Sequence, residues 1–167
     1  MRKLTLMMVV LMAGVLPSLG AGQVVEGIRM GQGPIRITSQ NLEARHKERM
    51  VIFTGDVVAR QEEFSLYADH LTVYLKNEGE DIDRIVAKDN VRIIQGDRVA
   101  TCREVEYYRN EGMLILQGDP VVREGDSSVA GWRIIYYVNG EKSVVEGKDD
   151  QRVSVTIVPG REKKNRE

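Results

Sequence analysis

Apolar and polar residues alternate along most of this chain in short segments, each ended by residues that favour turns. From Ile35 onward the period-two segments are Ile35–Ile37, Met50–Thr54, Val57–Arg60, Phe64–Tyr67, Leu71–Leu75, Ile82–Ala87, Val91–Ile94, Val99–Thr101, Val105–Tyr108, Met113–Leu116, Val121–Arg123, Ile134–Val138, Ser143–Glu146 and Val153–Val158. Alternation of this kind predicts half-buried β-strands, and their wealth of valine, isoleucine and tyrosine agrees. Between them lie Asn77-Glu78-Gly79, Gly96-Asp97, Asn110-Glu111-Gly112, Gly125-Asp126 and Asn139-Gly140. Asn-Gly is a strong hairpin signal, because both central residues of a type I′ turn need positive φ. Only Asn41–Arg49 has helix-compatible propensity, and its single apolar anchor, Leu42, would give a helix almost nothing to bury. That segment reads as a polar hairpin excursion.

Two short patterns recur. Phe53-Thr54-Gly55-Asp56-Val57-Val58, Ala87-Lys88-Asp89-Asn90-Val91-Arg92 and Leu116-Gln117-Gly118-Asp119-Pro120-Val121-Val122 each join an apolar strand end, a polar pair and a new apolar strand. Aligned on Val57, Val91 and Val121, they fall 34 and 30 residues apart. Between them stand Ala68-Asp69-His70-Leu71-Thr72-Val73-Tyr74, Cys102-Arg103-Glu104-Val105-Glu106-Tyr107-Tyr108 and Gly131-Trp132-Arg133-Ile134-Ile135-Tyr136-Tyr137. A repeat of this length predicts a stacked all-β architecture: a sandwich, jelly roll or β-solenoid. In the second pattern Ala68, Cys102 and Gly131 share one slot, which predicts a tight site for a small side chain.

Alternation places Val51, Phe53, Leu71, Val73, Val91, Ile93, Val105, Tyr107, Leu114, Leu116, Ile134 and Tyr136 on the inward face. With two Phe and one Trp in the whole chain, that interior is aliphatic. Such a lining either packs dry against itself or opens to receive hydrocarbon, and the pattern alone leaves both readings standing.

The first residues do not follow this pattern. Arg2 and Lys3 precede an apolar run from Leu4 to Leu16, followed by Pro17-Ser18-Leu19-Gly20. This is the layout of a secretory signal peptide over residues 1–20, with cleavage expected after Gly20 or Ala21. The run is short for a membrane span, which needs roughly 20 apolar residues; a retained anchor is the alternative. The only cysteine, Cys102, is far from the cut, so no lipid-anchoring cysteine is expected there and no intramolecular disulfide can form. Residues 21–33 form a Gly-rich lead-in, 34–159 the folded domain and 160–167 a charged, solvated tail.

Net charge is −1, and removing Arg2 and Lys3 makes it −3, so a general polyanion-binding surface and nucleic acid as a partner are not expected. Catalytic patterns are weak. His46 and His70 are isolated from each other and from any nucleophile or metal-ligand spacing. Glu62-Glu63 and Asp149-Asp150 are sequence neighbours, so on a strand their side chains would diverge. No enzyme activity, cofactor or metal site is expected. Ile35 and Ile37 at the start, and Val153, Val155 and Ile157 at the finish, belong to terminal strands whose free edges could accept a strand from another chain.

Several runs together carry a family resemblance. Gly33-Pro34-Ile35-Arg36-Ile37-Thr38-Ser39, Val51-Ile52-Phe53-Thr54-Gly55-Asp56-Val57 and Tyr67-Ala68-Asp69-His70-Leu71-Thr72-Val73 occur in this order, followed by Leu114-Ile115-Leu116-Gln117-Gly118-Asp119-Pro120 and Val153-Ser154-Val155-Thr156-Ile157-Val158-Pro159. In order and spacing they resemble the OstA-like family of lipopolysaccharide-transport proteins. The resemblance implies a twisted antiparallel β-jellyroll, or open sandwich, with an apolar groove that holds the acyl chains of lipid A while the sugars face water. It implies a periplasmic carrier between an LptC-like inner-membrane protein and an LptD-like outer-membrane protein, with end-to-end homo-oligomers.

Candidate groove residues are then Ile35, Ile37, Phe53, Val73, Ile93, Val105, Tyr107, Leu116, Ile134 and Tyr136. Of these, Ile35, Ile37, Ile93 and Tyr107 fall where family members contact lipid or line the groove. An anchored adaptor of the same pathway and a ligand-free β-sandwich interaction module are the alternatives.

Overall fold

The structure is a computed structural model, and it describes residues 33–77, 81–138 and 142–159. The expected signal peptide, most of the lead-in, the charged tail and the Asn139-Gly140 turn lie outside the described residues, as do Glu78 and Gly79 of the Asn77-Glu78-Gly79 turn. Among the described residues, twelve strands make one antiparallel sheet. They are β1 (Arg36–Thr38), β2 (Asn41–Arg45), β3 (Met50–Gln61), β4 (Phe64–Leu75), β5 (Ile82–Gln95), β6 (Arg98–Tyr108), β7 (Met113–Gln117), β8 (Val121–Glu124), β9 (Ser127–Ala130), β10 (Arg133–Tyr137), β11 (Lys142–Glu146) and β12 (Ser154–Thr156). The all-β reading therefore holds. Asn41–Arg49 is the polar hairpin arm expected of it, with Leu42 exposed opposite Phe53.

Eight segments predicted as separate strands are joined in pairs into four long ones, β3 to β6. The polar pairs between them do not end strands; they bend them. Pairing slips between Thr54 and Val57, between Tyr67 and His70, and between Lys88 and Val91. Gly55-Asp56 on β3, Asp89-Asn90 on β5 and Gly118-Asp119 between β7 and β8 all have positive φ at both residues. Two consecutive left-handed residues turn a strand sharply, as bulges do, and glycine, aspartate and asparagine reach that region most readily. A Cβ at Gly118 would also lie 2.6 Å from Arg103 Cβ.

These bends fold the sheet into two layers. The first runs β2-β3-β4-β5-β6-β7-β10-β11, using 50–54, 70–75, 82–88 and 104–108 of the long strands. The second runs β1-β3-β4-β5-β6-β8-β9-β12, using their other halves. Outgoing strands bend at a left-handed pair, whereas the returning strands β4 and β6 bend at Ala68-Asp69 and Cys102-Arg103 without positive φ. Each repeat in the sequence is one out-and-back excursion. The third corner sets the alignment one residue earlier than Val121 suggested: Pro120 follows the left-handed pair and is fully buried, as Val57 and Val91 are.

The small-residue slot is real. Ala68 is buried, and a Cβ on Gly131 would sit 2.7 Å from Val145 Cγ1 and 2.8 Å from the Glu146 carbonyl oxygen. Polar side chains lace the corners from outside: Asn90 Nδ2 donates to Asp69 Oδ2 at 2.6 Å, and Gln151 Nε2 donates to Asp119 Oδ1 at 3.2 Å and to the Gly131 carbonyl at 3.0 Å.

Both layers contribute to one core. Leu71, Leu114, Leu116 and Ile134 come from the first layer, and Val57, Ile93 and Val122 from the second, each at most 1 % exposed or within the fully buried set. Each such side chain contributes about 1.5–3 kcal/mol by leaving water. The outer face of the first layer is held differently, by Arg84 stacked 4.4 Å over Tyr74 and 5.8 Å over Tyr108, whose hydroxyl donates to Glu106 at 2.6 Å.

Candidate apolar cleft and its partners

At the β1 side the two layers do not close completely. A cavity of about 500 Å³, counting the part open to solvent, lies between Ile37, Ala59, Phe64 and Leu66 on the second layer and Leu71, Ile85, Ala87, Val105, Tyr107 and Leu114 on the first. Ile35, Arg60 and Gln61 complete the wall. Two small side chains explain the space: Ala59 and Ala87 occupy inward positions that leucine or isoleucine fill elsewhere, at Leu116, Ile93 and Ile134.

Of the sequence-derived groove candidates, Ile35, Ile37, Val105 and Tyr107 line this cavity. Phe53, Val73, Ile93, Leu116, Ile134 and Tyr136 do not; all but Phe53 are buried, and Phe53 packs against the core. Alternation sorts faces correctly but does not reveal what lies across from a residue. Ala59, Gln61, Phe64, Leu66, Leu71, Ile85, Ala87 and Leu114 line the cavity without having been chosen as groove residues. Alanines and a glutamine at inward positions were the available signal.

Away from β1 the interior is closed. Tyr136 is 3 % exposed, and burial pushes its hydroxyl up to about 12, Arg98 and Glu124 opposing each other beside it. Those two residues pair across β6 and β8, Arg98 Nη2 to Glu124 Oε2 at 3.2 Å. Cys102 is likewise pushed up to about 12 by burial, and its Sγ donates to the Glu104 carbonyl at 3.4 Å. A thiol held so far above neutrality is a packing group, not a nucleophile.

Arg36 and Arg60 face each other directly across β1 and β3, and neither has an ion-pair partner among the described residues. Like charges in that position are unfavourable by themselves. Among the described residues no group of His, Cys, Asp and Glu could hold a metal ion, and no helix is long and apolar enough to cross a membrane.

The edges of the second layer are the terminal strands. Among the described residues β1 pairs only with β3 and β12 only with β9, at opposite sides of the second layer. Only Ser154–Thr156 of the expected Val153–Val158 segment is strand; Val153, Val155 and Ile157 are 43, 54 and 76 % exposed.

A sheet folded on itself around an aliphatic interior, parted along one side, is an open β-jellyroll. The family model for the LptA/(LptD N-terminal domain) LPS transport protein matches residues 36–142, and the chain belongs to that family. It is thus a member of a lipopolysaccharide-transport family, one of transport components and not of enzymes. An uncharacterized protein of Rhizobium meliloti is 30% identical over 119 residues, 66% of this chain and 64% of that protein, so the chain spans just under two thirds of that relative's length. The lipopolysaccharide export system protein LptA of Escherichia coli K12 is 23% identical over 137 residues, 75% of this chain and 71% of LptA. The fold matches LptH, the LptA homologous periplasmic component of the lipopolysaccharide transport device of Pseudomonas aeruginosa, with TM-score 0.66 at 17% identity, covering 75% of this chain and 96% of LptH.

Proposed function

We propose that this protein is a periplasmic bridge that carries lipopolysaccharide from the inner to the outer membrane, receiving it from an LptC-like protein and passing it to an LptD-like protein. The observation that carries this reading is the apolar cleft at the β1 side, bounded by Ile35, Ile37, Val105 and Tyr107. Residues 1–20 act as a cleaved export signal. Acyl chains enter the cleft, and Arg60 on its wall, with Arg36 opposite it on β1, suits an anionic headgroup left outside.

Hydrocarbon burial releases about 0.8 kcal/mol per CH₂, so several acyl chains have ample drive to leave water. Aliphatic walls make few directional bonds. Successive positions along them hold the lipid with similar strength, and the lipid can advance when an upstream complex pushes. Among the described residues the outer edges of β1 and β12 have no further strand and lie on opposite sides of the second layer, an arrangement suited to end-to-end strand addition between copies or partners.

Photocrosslinking in cells that make lipopolysaccharide tests the proposal. A photoreactive residue at Tyr107 is expected to capture lipopolysaccharide, and one at Thr72 on the outer face is not. A folded protein that gives no adduct at Tyr107 would favour a ligand-free interaction module.

A further inference from the structure

We infer that Gln61 is a specificity residue, and that the cleft selects amphiphiles carrying a hydrogen-bond donor, a hydroxyl or an amide N–H, close to the headgroup end of a hydrocarbon chain. This rests on the reading of the cleft as a lipid site. Gln61 is the last residue of β3, lines the cavity and is only 6 % exposed. Its Nε2 donates to the Gly33 carbonyl at 2.6 Å, which fixes the orientation of the amide. Its Oε1 is buried and has no hydrogen-bond partner among the described residues.

A buried amide oxygen without a donor is disfavoured, and native proteins rarely leave one. The neighbours in the wall, Ile35, Phe64 and Leu66, have no side-chain donor to give. An unmodified alkyl chain laid along this wall would keep Oε1 unpaired. A chain with a hydroxyl or amide N–H at that depth would satisfy it, as the layers part to admit the chain. The placement agrees with the chemistry, because Gln61 sits at the hairpin end of the cleft beside Arg60, where polar and apolar parts of an amphiphile would meet.

Competitive displacement of a fluorescent fatty acid from the full chain would compare tetradecanoic acid, 3-hydroxytetradecanoic acid and N-tetradecanoylglycine. The wild type is expected to bind at least one donor-bearing chain roughly five- to tenfold more tightly than the plain one, the worth of one buried hydrogen bond. The hydroxyl and amide arms identify which donor is read. In Gln61→Met that ratio is expected to fall to about one, while the plain chain binds at least as well as before. Because the ratio is taken within one protein, loss of the Gly33 contact cancels. If the wild type binds all three chains equally, the inference is overturned and the cleft reading stands. If none of the chains binds, both fall.

Discussion

Tyr107 and Tyr136 stand on one inward row of the first layer, separated by Leu114 on β7, and their surroundings differ. Tyr107 is partly exposed on the wall of a cavity; Tyr136 is closed in beside the Arg98–Glu124 pair. The strands are the same kind, the interior is aliphatic on both sides, and the rows are in register. Side-chain volume makes the difference. Leu116, Ile134 and Val122 are fully buried in the closed part of the core, whereas alanines at 59 and 87 line the cavity with Tyr107. One side of the jellyroll is closed core, and the other holds the cavity.

This division can be broken from either side. The largest effect is expected on the closed side: Leu116→Ala, at a residue with no exposed surface, should cost about 2–5 kcal/mol in urea unfolding. Ile37→Ala at the mouth should cost about 1 kcal/mol, since that side chain is only partly buried. Equal losses at the two positions would mean that the mouth is ordinary core. Next in size, Ala87→Leu should fill the cavity with little change in stability and weaken lipopolysaccharide binding about tenfold or more. Unchanged binding in that variant would separate the cavity from the ligand.

Alkaline pH probes the closed side further. Cys102 is raised from 9.0 to about 12 and Tyr136 from 10.0 to about 12, both by burial. The unfolded chain therefore loses these protons first, and the contribution of these two groups, fully present below pH 9, should be lost between pH 9 and 12. Cys102→Ala should delay the onset to about pH 10, and Tyr136→Phe should reduce the remaining slope. The smallest effect is expected on the outer face of β1, where Arg36→Glu should convert a repulsive cross-strand pair into an attractive one and raise stability by about 0.2–1 kcal/mol.

Much of this architecture was legible in the chain. The corners could be read from Gly55-Asp56, Asp89-Asn90 and Gly118-Asp119, because few residues other than glycine, aspartate and asparagine accept left-handed geometry twice in succession. That the strands continue through those corners was not legible, since the same dipeptides also make hairpins. The inward face was read correctly at Leu71, Val105 and Leu116 from period two alone. The position of the cavity was not. Whether an inward residue meets a partner depends on the opposite layer, and the sequence pattern of one strand carries no information about it. Gln61 illustrates the limit: it follows Val57 and Ala59 in the inward register, yet the significance of a polar residue there emerges only once its oxygen is found buried without a donor.

The most direct test of the two-sided interior is ¹⁹F NMR of the full chain with fluorotyrosine at its six tyrosines, assigned by single substitutions and titrated with lipopolysaccharide. The Tyr107 resonance should shift or broaden while that of Tyr136 stays in place. A shift at Tyr136 with none at Tyr107 would contradict the assignment of the cleft to the β1 side.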